Sequence, residues 1–342
     1  MKMLKNILKL TAIWMAATVS FTACEVDTTT VMFEEDHDFS QPGDTVFSML
    51  GILDKVQDVV EKGVLLGELR GDLVKPDPFV GTSSAWVDLT RFENLENATF
   101  NRYRDYYAIV NNCNFYLERA DAEMERRGQK VFLKEYAAVS AYRAWAYLQL
   151  ALLYGEVPFY TQPLLSYSEI EQVMNDPSKR KGLGEICSYF IDDLLPYVDV
   201  PFPNYGNFTY DQSSSVNSSD FFLPIRLLRG DLYLWRGSLD GNKSDFAKAA
   251  QEYRDYLLSE KRFVSPDVKV AYRTVDMDGA QIVDRWSSVF LGNNYNESIS
   301  LVPFAGNSQY GKLGSLRQSF RSFMGSDALQ KLVDESYYCY MM

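Results

Sequence analysis

Residues able to do covalent chemistry are few in this chain of 342: four cysteines (Cys24, Cys113, Cys187 and Cys339) and one histidine, His37. A single imidazole near the start excludes His–Ser and His–Cys nucleophile pairs and multiple-histidine metal centres. None of the cysteines stands in a CxxC pair, so their spacing offers neither a zinc pattern nor a disulfide framework. Cys24 has a different context. It closes Phe21-Thr22-Ala23-Cys24, behind a basic opening (Lys2, Lys5, Lys9) and an apolar stretch over 10–21, with Glu25 and Asp27 following at once. That order reads as a lipoprotein signal over 1–23, cleaved before Cys24, whose thiol and new amine then take acyl chains such as palmitate. An ordinary secretory signal with an incidental cysteine, or a buried helix, is the alternative. Each buried methylene contributes about 0.8 kcal/mol, so two or three chains anchor firmly where one does not. Cys113 and Cys187 lie in apolar helical contexts and read as small buried hydrophobes.

Non-covalent chemistry has more to work with. The chain holds 23 Tyr, 21 Phe and 5 Trp, 14% of its residues. A flat ring stacks on the C–H face of a pyranose, while amides and carboxylates at the rim bond its hydroxyls. Three clusters have that composition. Trp86 stands in the polar stretch Gly81-Thr82-Ser83-Ser84-Ala85-Trp86-Val87-Asp88, read as a loop, with Asp88 and Asn94 nearby. Trp286, Asn293, Asn294 and Tyr295 form the second cluster, and Tyr205, Phe208 and Tyr210 the third. Each has a plainer reading: Trp86 as a cap on a helix bundle, the polar neighbours as solvated loop groups. Trp145 and Trp235 fall in helical stripes and read as packing.

Other chemistry fits poorly. Asp276-Met277-Asp278-Gly279 opens like a calcium loop, but the later oxygen ligands and closing glutamate are out of place. Gly311-Lys312-Leu313-Gly314-Ser315 lacks phosphate-loop spacing. A paired-carboxylate glycosidase stays open because acids are abundant, yet no pair stands out. No metal, cofactor or catalytic residue is therefore expected, and the chain reads as a binder and not an enzyme. Lys+Arg 34 against Asp+Glu 46 gives a net charge of −12. Cleavage after residue 23 removes three lysines and no acid, leaving 31 against 46, or −15. This argues against nucleic acid as a partner and against adhesion to anionic lipid through charge.

The elements that must position these side chains are mostly helical. Residues 25–45 read as an acidic, threonine-rich tether, and 46–342 as one domain. From Val46 the stripe Phe47, Leu50, Leu53, Val56 and Val60 predicts a helix. A second is expected over 101–125, with Tyr103, Tyr107, Val110, Asn114 and Leu117 inward. The clearest helix runs over 133–154, where Leu133, Ala137, Ala141, Ala144, Leu148 and Ala151 form a stripe and Gly155 supplies the stop. Residues 183–197 predict a shorter helix facing inward through Ile186, Phe190, Leu194 and Leu195. A pair follows over 223–236 and 246–259, joined by 237–245. Its inward residues are Ile225, Leu228, Leu232 and Trp235, then Ala249, Ala250, Tyr253 and Leu257. Helix, turn and helix in about 37 residues has the size of a tetratricopeptide unit. The fold class expected is mainly α, a scaffold of tetratricopeptide-like hairpins (101–154 and 221–260) with a loop-rich region after Lys261 carrying the binding surface. Strand-like stretches such as 298–304 occur in that region.

Several segments together resemble the SusD/RagB family of bacterial outer-membrane nutrient-binding lipoproteins. They are the lipoprotein signal, Gly67-Glu68-Leu69-Arg70-Gly71-Asp72 and Tyr106-Tyr107-Ala108-Ile109-Val110-Asn111-Asn112-Cys113-Asn114. The most specific is Tyr142-Arg143-Ala144-Trp145-Ala146-Tyr147-Leu148-Gln149-Leu150 with Tyr154-Gly155-Glu156-Val157-Pro158. The hairpin over 229–260 and Glu297-Ser298-Ile299-Ser300 are also similar. Family members usually continue into a further C-terminal region, so this chain reads as truncated or abbreviated. The resemblance implies surface capture of glycan or peptide, without bond cleavage, beside a SusC-like TonB-dependent outer-membrane transporter. A structural adaptor that holds a protein partner is the alternative.

Overall fold

The computed structural model describes residues 39, 42–71, 74–76, 84–93, 102–209, 215–259, 274–275, 281–282, 302 and 323–325. The first helix, α1 (Pro42–Glu68), opens on a proline whose fixed φ suits a first turn. Its buried face is Thr45, Ser48, Met49, Ile52, Val56 and Val59. The predicted stripe is therefore out of phase, and Phe47 is 76% exposed, because two small polar residues turn inward with the aliphatics. β1 (Val74–Pro76) and α2 (Ser84–Arg91) follow. The next helix, α3 (Arg104–Arg119), is shorter than expected and buries Tyr106, Tyr107, Ile109, Val110, Cys113, Asn114, Tyr116 and Leu117. Tyr103 precedes it and is exposed.

A tight hairpin, β2 (Glu125–Arg126) and β3 (Gln129–Lys130), turns through Arg127 and Gly128, both at positive φ. It leads into α4 (Leu133–Tyr154), whose bounds match those expected. Gly155, at φ 78°, ends it by donating its N–H to Ala151 O at 3.0 Å. Ala137, Ala138, Ala141, Ala144, Ala146 and Ala151 are all buried. Those small side chains let α1, α3 and later helices close around α4 from several sides.

Beyond α4, β4 (Val157–Pro158) pairs with β5 (Arg180–Lys181) around α5 (Tyr167–Asn175). That helix starts in a capping box between Ser166 and Glu169. α6 (Leu183–Asp193) buries Ile186, Cys187, Phe190 and Ile191, whereas Leu195 just beyond it is exposed. β6 (Asn207–Thr209) and β7 (Ser215–Asn217) make a hairpin before α7 (Ile225–Asp240) and α8 (Lys243–Ser259). β8 (Thr274–Val275) pairs with β9 (Gln281–Ile282). β10 (Phe323–Gly325) returns to pair antiparallel with β1, Val74 opposite Gly325. Of the strand-like stretch 298–304 only Val302 is described; it lies in no regular element and packs on the main core.

Helices α7 and α8 form the second hairpin, joined by only Gly241 and Asn242, because Gly237 stays helical. A Cβ at Gly237 would sit 3.1 Å from Asp245 and Phe246, and one at Gly230 only 2.3 Å from the Tyr253 ring. The two glycines are what let these helices approach. Charge lies buried between them. Arg229 donates from Nε to Glu252 at 2.8 Å and from Nη1 to Ile191 O at 2.6 Å. Arg236 holds Asp245 through two bonds, at 2.6 and 2.8 Å. The inward face of α8 is therefore Asp245, Ala249, Glu252 and Tyr256, while Leu257 on the predicted stripe is exposed. Trp235 is exposed too, a correction to its reading as packing.

Two outcomes are expected. Gly230→Ala drives its new methyl into the Tyr253 ring and costs about 1–3 kcal/mol in chemical denaturation, and adding Tyr253→Ala recovers part of that loss. The hydrogen-bonded Arg236 guanidinium holds the Asp245 carboxyl below the usual carboxylate range. The stabilisation is thus present above about pH 4 and lost as pH falls through the lowered value. Asp245→Asn should be less stable than the parent at pH 7, with the gap narrowing in acid.

Candidate functional site

Trp86 does not stand in a loop. It lies on α2, whose Leu89 joins Leu65, Leu66 and Leu69 at the end of α1 in a second, smaller apolar cluster. Trp86 is half-buried against that cluster, with Ala85, Val74 and Leu153. The Gly-Thr-Ser-Ser run before it reads as loop, yet α2 begins within it at Ser84. Asp88 is half-buried on the same helix, and its backbone carbonyl accepts the N–H of Glu93 at 2.9 Å. Asn94, Trp286, Asn293, Tyr295 and the lipidation residue Cys24 lie outside the described residues, as do Tyr210 and the calcium-like and glycine-lysine motifs.

Of the third cluster, Tyr205 packs edge-on against Phe222 at 6.2 Å and donates to Glu135 at 3.4 Å. Phe208 leans on Phe221 at 5.7 Å. Both are half-buried, so these rings serve the fold. Cys113 and Cys187 are buried, as read from sequence, and burial pushes both thiols up to about 12. Among the described residues no group of His, Cys, Asp and Glu is placed to hold a metal ion.

One surface residue just past α2 escaped the sequence reading. The helix closes with Phe92 N–H on Leu89 O at 3.2 Å and Glu93 N–H on Asp88 O at 2.9 Å, the two bonds of a Schellman motif. Phe92 occupies the left-handed position of that motif, at φ 59°, and is 63% exposed. The only signal in the sequence is negative: no glycine follows α2. The described surface also has two hollows. A cleft of about 350 Å³ lies between Lys134 and Ala138 of α4, Val200 and Phe202, Arg226 of α7 and Tyr256 of α8. Its guanidinium is fixed by Asp199 at 2.6 Å and Glu252 at 3.2 Å. A shallower dish of about 440 Å³ is lined by Lys181, Glu185, Ser188, Tyr189 and Asp192, with Lys181 Nζ 4.3 Å over the Phe159 ring.

No family model and no curated protein matches the chain. Solved structures do. A SusD homolog from Bacteroides thetaiotaomicron superposes with a TM-score of 0.50 at 17% identity, covering 80% of this chain and 55% of that one. The chain has a SusD-like fold. A laminarin-binding SusD-like protein matches with a TM-score of 0.46 at 16% identity, over 75% of this chain and 49% of that one. For NanU of B. fragilis the values are 0.48, 16%, 66% and 43%. The chain thus spans about half the length of these structures.

The segments that carried the resemblance have structural duties within this SusD-like fold. The stretch leaving α4 is stitched to α3 and α4 by their side chains. Tyr107 donates to Pro158 O at 2.6 Å, and Tyr147 both donates to Tyr160 O at 2.7 Å and accepts its N–H at 2.9 Å. Asn111 brackets Leu164, accepting its N–H at 2.8 Å and donating to its carbonyl at 3.0 Å. The motif residues hold the scaffold together and lie apart from the exposed turn that ends α2. Trp86→Ala should cost about 2 kcal/mol in denaturant unfolding because it empties space against Leu65, Leu66 and Leu69, with Trp86→Phe costing about half as much.

Proposed function

We propose that this chain is a lipid-anchored protein of the outer-membrane surface. It binds oligosaccharide nutrients without cleaving a bond and passes them to a SusC-like TonB-dependent transporter. The observation that carries the reading is the likeness in fold to the SusD homolog. The lipoprotein-type signal ending at Cys24 supports it, and so does the absence, among the described residues, of a helix long and apolar enough to cross a membrane. The return of 323–325 to pair with 74–76 supports treating 46–342 as one unit.

In this reading rings and amides hold the sugar: the exposed edge of Trp86 with Asp88 and Asn94, and Trp286 with Asn293 and Tyr295. Stacking supplies contact area at low entropic cost, and the rim groups select among hydroxyl patterns. A scaffold fixed by buried bonds keeps such a surface preorganised. An adaptor reading draws support from Leu234, Trp235 and Leu239, exposed on the outer side of α7. It predicts a protein partner and no response to sugars.

Isothermal titration of the mature chain against maltohexaose, laminarihexaose, cellohexaose and mannohexaose tests the proposal. Heat with at least one hexasaccharide is expected, with no release of reducing ends on prolonged incubation. Trp286→Ala and Tyr295→Ala should each weaken that binding about tenfold. Silence toward every sugar would favour the adaptor.

A further inference from the structure

Phe92 is held in a conformation that its side chain disfavours, and the fold gains little visible return from the ring. Left-handed backbone at a helix C-terminus suits glycine, which has no Cβ to clash, and a bulky residue there is an outlier. Two non-glycine residues among those described have positive φ, Phe92 and Arg127. Arg127 has an ordinary explanation, since it and Gly128 make the two-residue turn of the β2–β3 hairpin and its guanidinium reaches water. Phe92 has no such explanation. The residue is 63% exposed, and its ring makes no ring contact with another described aromatic residue. Trp86, the other described aromatic residue of this region, is half-buried against the leucines of α1.

The neighbours give the ring a chemistry. Arg91 and Glu93 flank it in sequence and both are exposed, so one turn of chain offers a donor fork, an apolar ring and a carboxylate acceptor to solvent. The two closing bonds of α2 fix the backbone that carries all three. A ring carried on fixed backbone has only two side-chain torsions to lose on binding, and local strain of this kind concentrates where ligands are held. We propose that Phe92 is a stacking platform for the C–H face of a saccharide, with Arg91 and Glu93 as its hydroxyl-binding rim. This rests on the glycan reading above and names a contact that reading lacks.

The test uses the full mature chain and three variants, Phe92→Gly, Phe92→Asn and Phe92→Trp, with melting temperatures and titrations against the same four hexasaccharides. Glycine and asparagine both tolerate left-handed backbone, so both variants should melt at or up to about 2 °C above the parent. Their affinity for whichever hexasaccharide binds the parent should fall about tenfold, while Phe92→Trp keeps it within about threefold. If the parent binds a hexasaccharide and Phe92→Gly and Phe92→Asn bind it equally well, the platform is wrong and the glycan reading stands. If the parent binds none of the four, both fall together. Melting lowered by several degrees in the glycine and asparagine variants alike would make the ring a packing element and overturn the proposal. Loss of binding in Phe92→Trp as well would remove stacking as the cause.

Discussion

A guanidinium in the middle of an almost wholly apolar helix has to be paired, and much of the fold follows from how Arg143 is paired. It is 7% exposed on α4. Its Nη1 donates to Asn114 of α3 at 3.2 Å, and its Nη2 to Asp193 at the end of α6 at 3.1 Å. Losing Asp193 would strand a buried charge, which costs far more than the pair contributes while intact, and losing Asn114 would leave a buried N–H without its acceptor. The three helices are therefore held in one relative arrangement, where apolar packing alone would tolerate small slips. Tyr147 and Tyr142 apply the same rule to loops, since each buried hydroxyl must find a partner and finds it in the backbone of Tyr160 and of Phe221. Alanines do the rest by letting neighbours close on α4 from several sides.

The second hairpin obeys the same constraint with two ion pairs. Arg229 with Glu252 and Arg236 with Asp245 lie where a simpler protein would place leucines, while Gly230 makes room for the Tyr253 ring and Gly237 for Asp245 and Phe246. Because Arg229 also reaches the Ile191 carbonyl, α7 is bound to α6 as well as to α8. The two hairpins thus share α6 as a common neighbour, through Asp193 on one side and Ile191 on the other. Such a scaffold resists internal sliding, a useful property for presenting a surface of fixed shape.

These buried charges also decide what could be read in advance. Helix α4 was legible to the residue because it is apolar on nearly all sides and ends in a glycine, so no choice of face was needed. Helices α1 and α8 were legible as helices but not in phase. Each carries two overlapping stripes, and hydropathy favoured the one with Phe47 or Leu257 over the one with Thr45 and Ser48 or Asp245 and Glu252. A carboxylate counts as a surface residue until its arginine is known, and Arg236 and Arg229 lie on the preceding helix. Trp86 was misplaced for a related reason: the serines before it suggest a loop, but the structure starts a helix among them. The proposed ligand residues Asn94, Trp286, Asn293 and Tyr295 belong to stretches where the sequence shows no sustained period, so their grouping rested on composition alone.

Where local rules hold, side chains in this protein report on folding. Tyr107, Asn111, Tyr147 and Arg143 look like site residues by type, yet each is consumed by a buried bond. Where a rule is broken without structural return, the residue is free to report on something else. Phe92 breaks the preference for glycine at the end of α2, in a helix anchored by the leucine cluster beneath it. The strain of one left-handed residue persists only when surrounding contacts over-determine the backbone, and Leu65, Leu66, Leu69, Leu89 and Trp86 supply those contacts. The same leucines that seat Trp86 therefore allow Phe92 to stay exposed, so the half-burial of one ring and the exposure of the other are two consequences of a single packing arrangement.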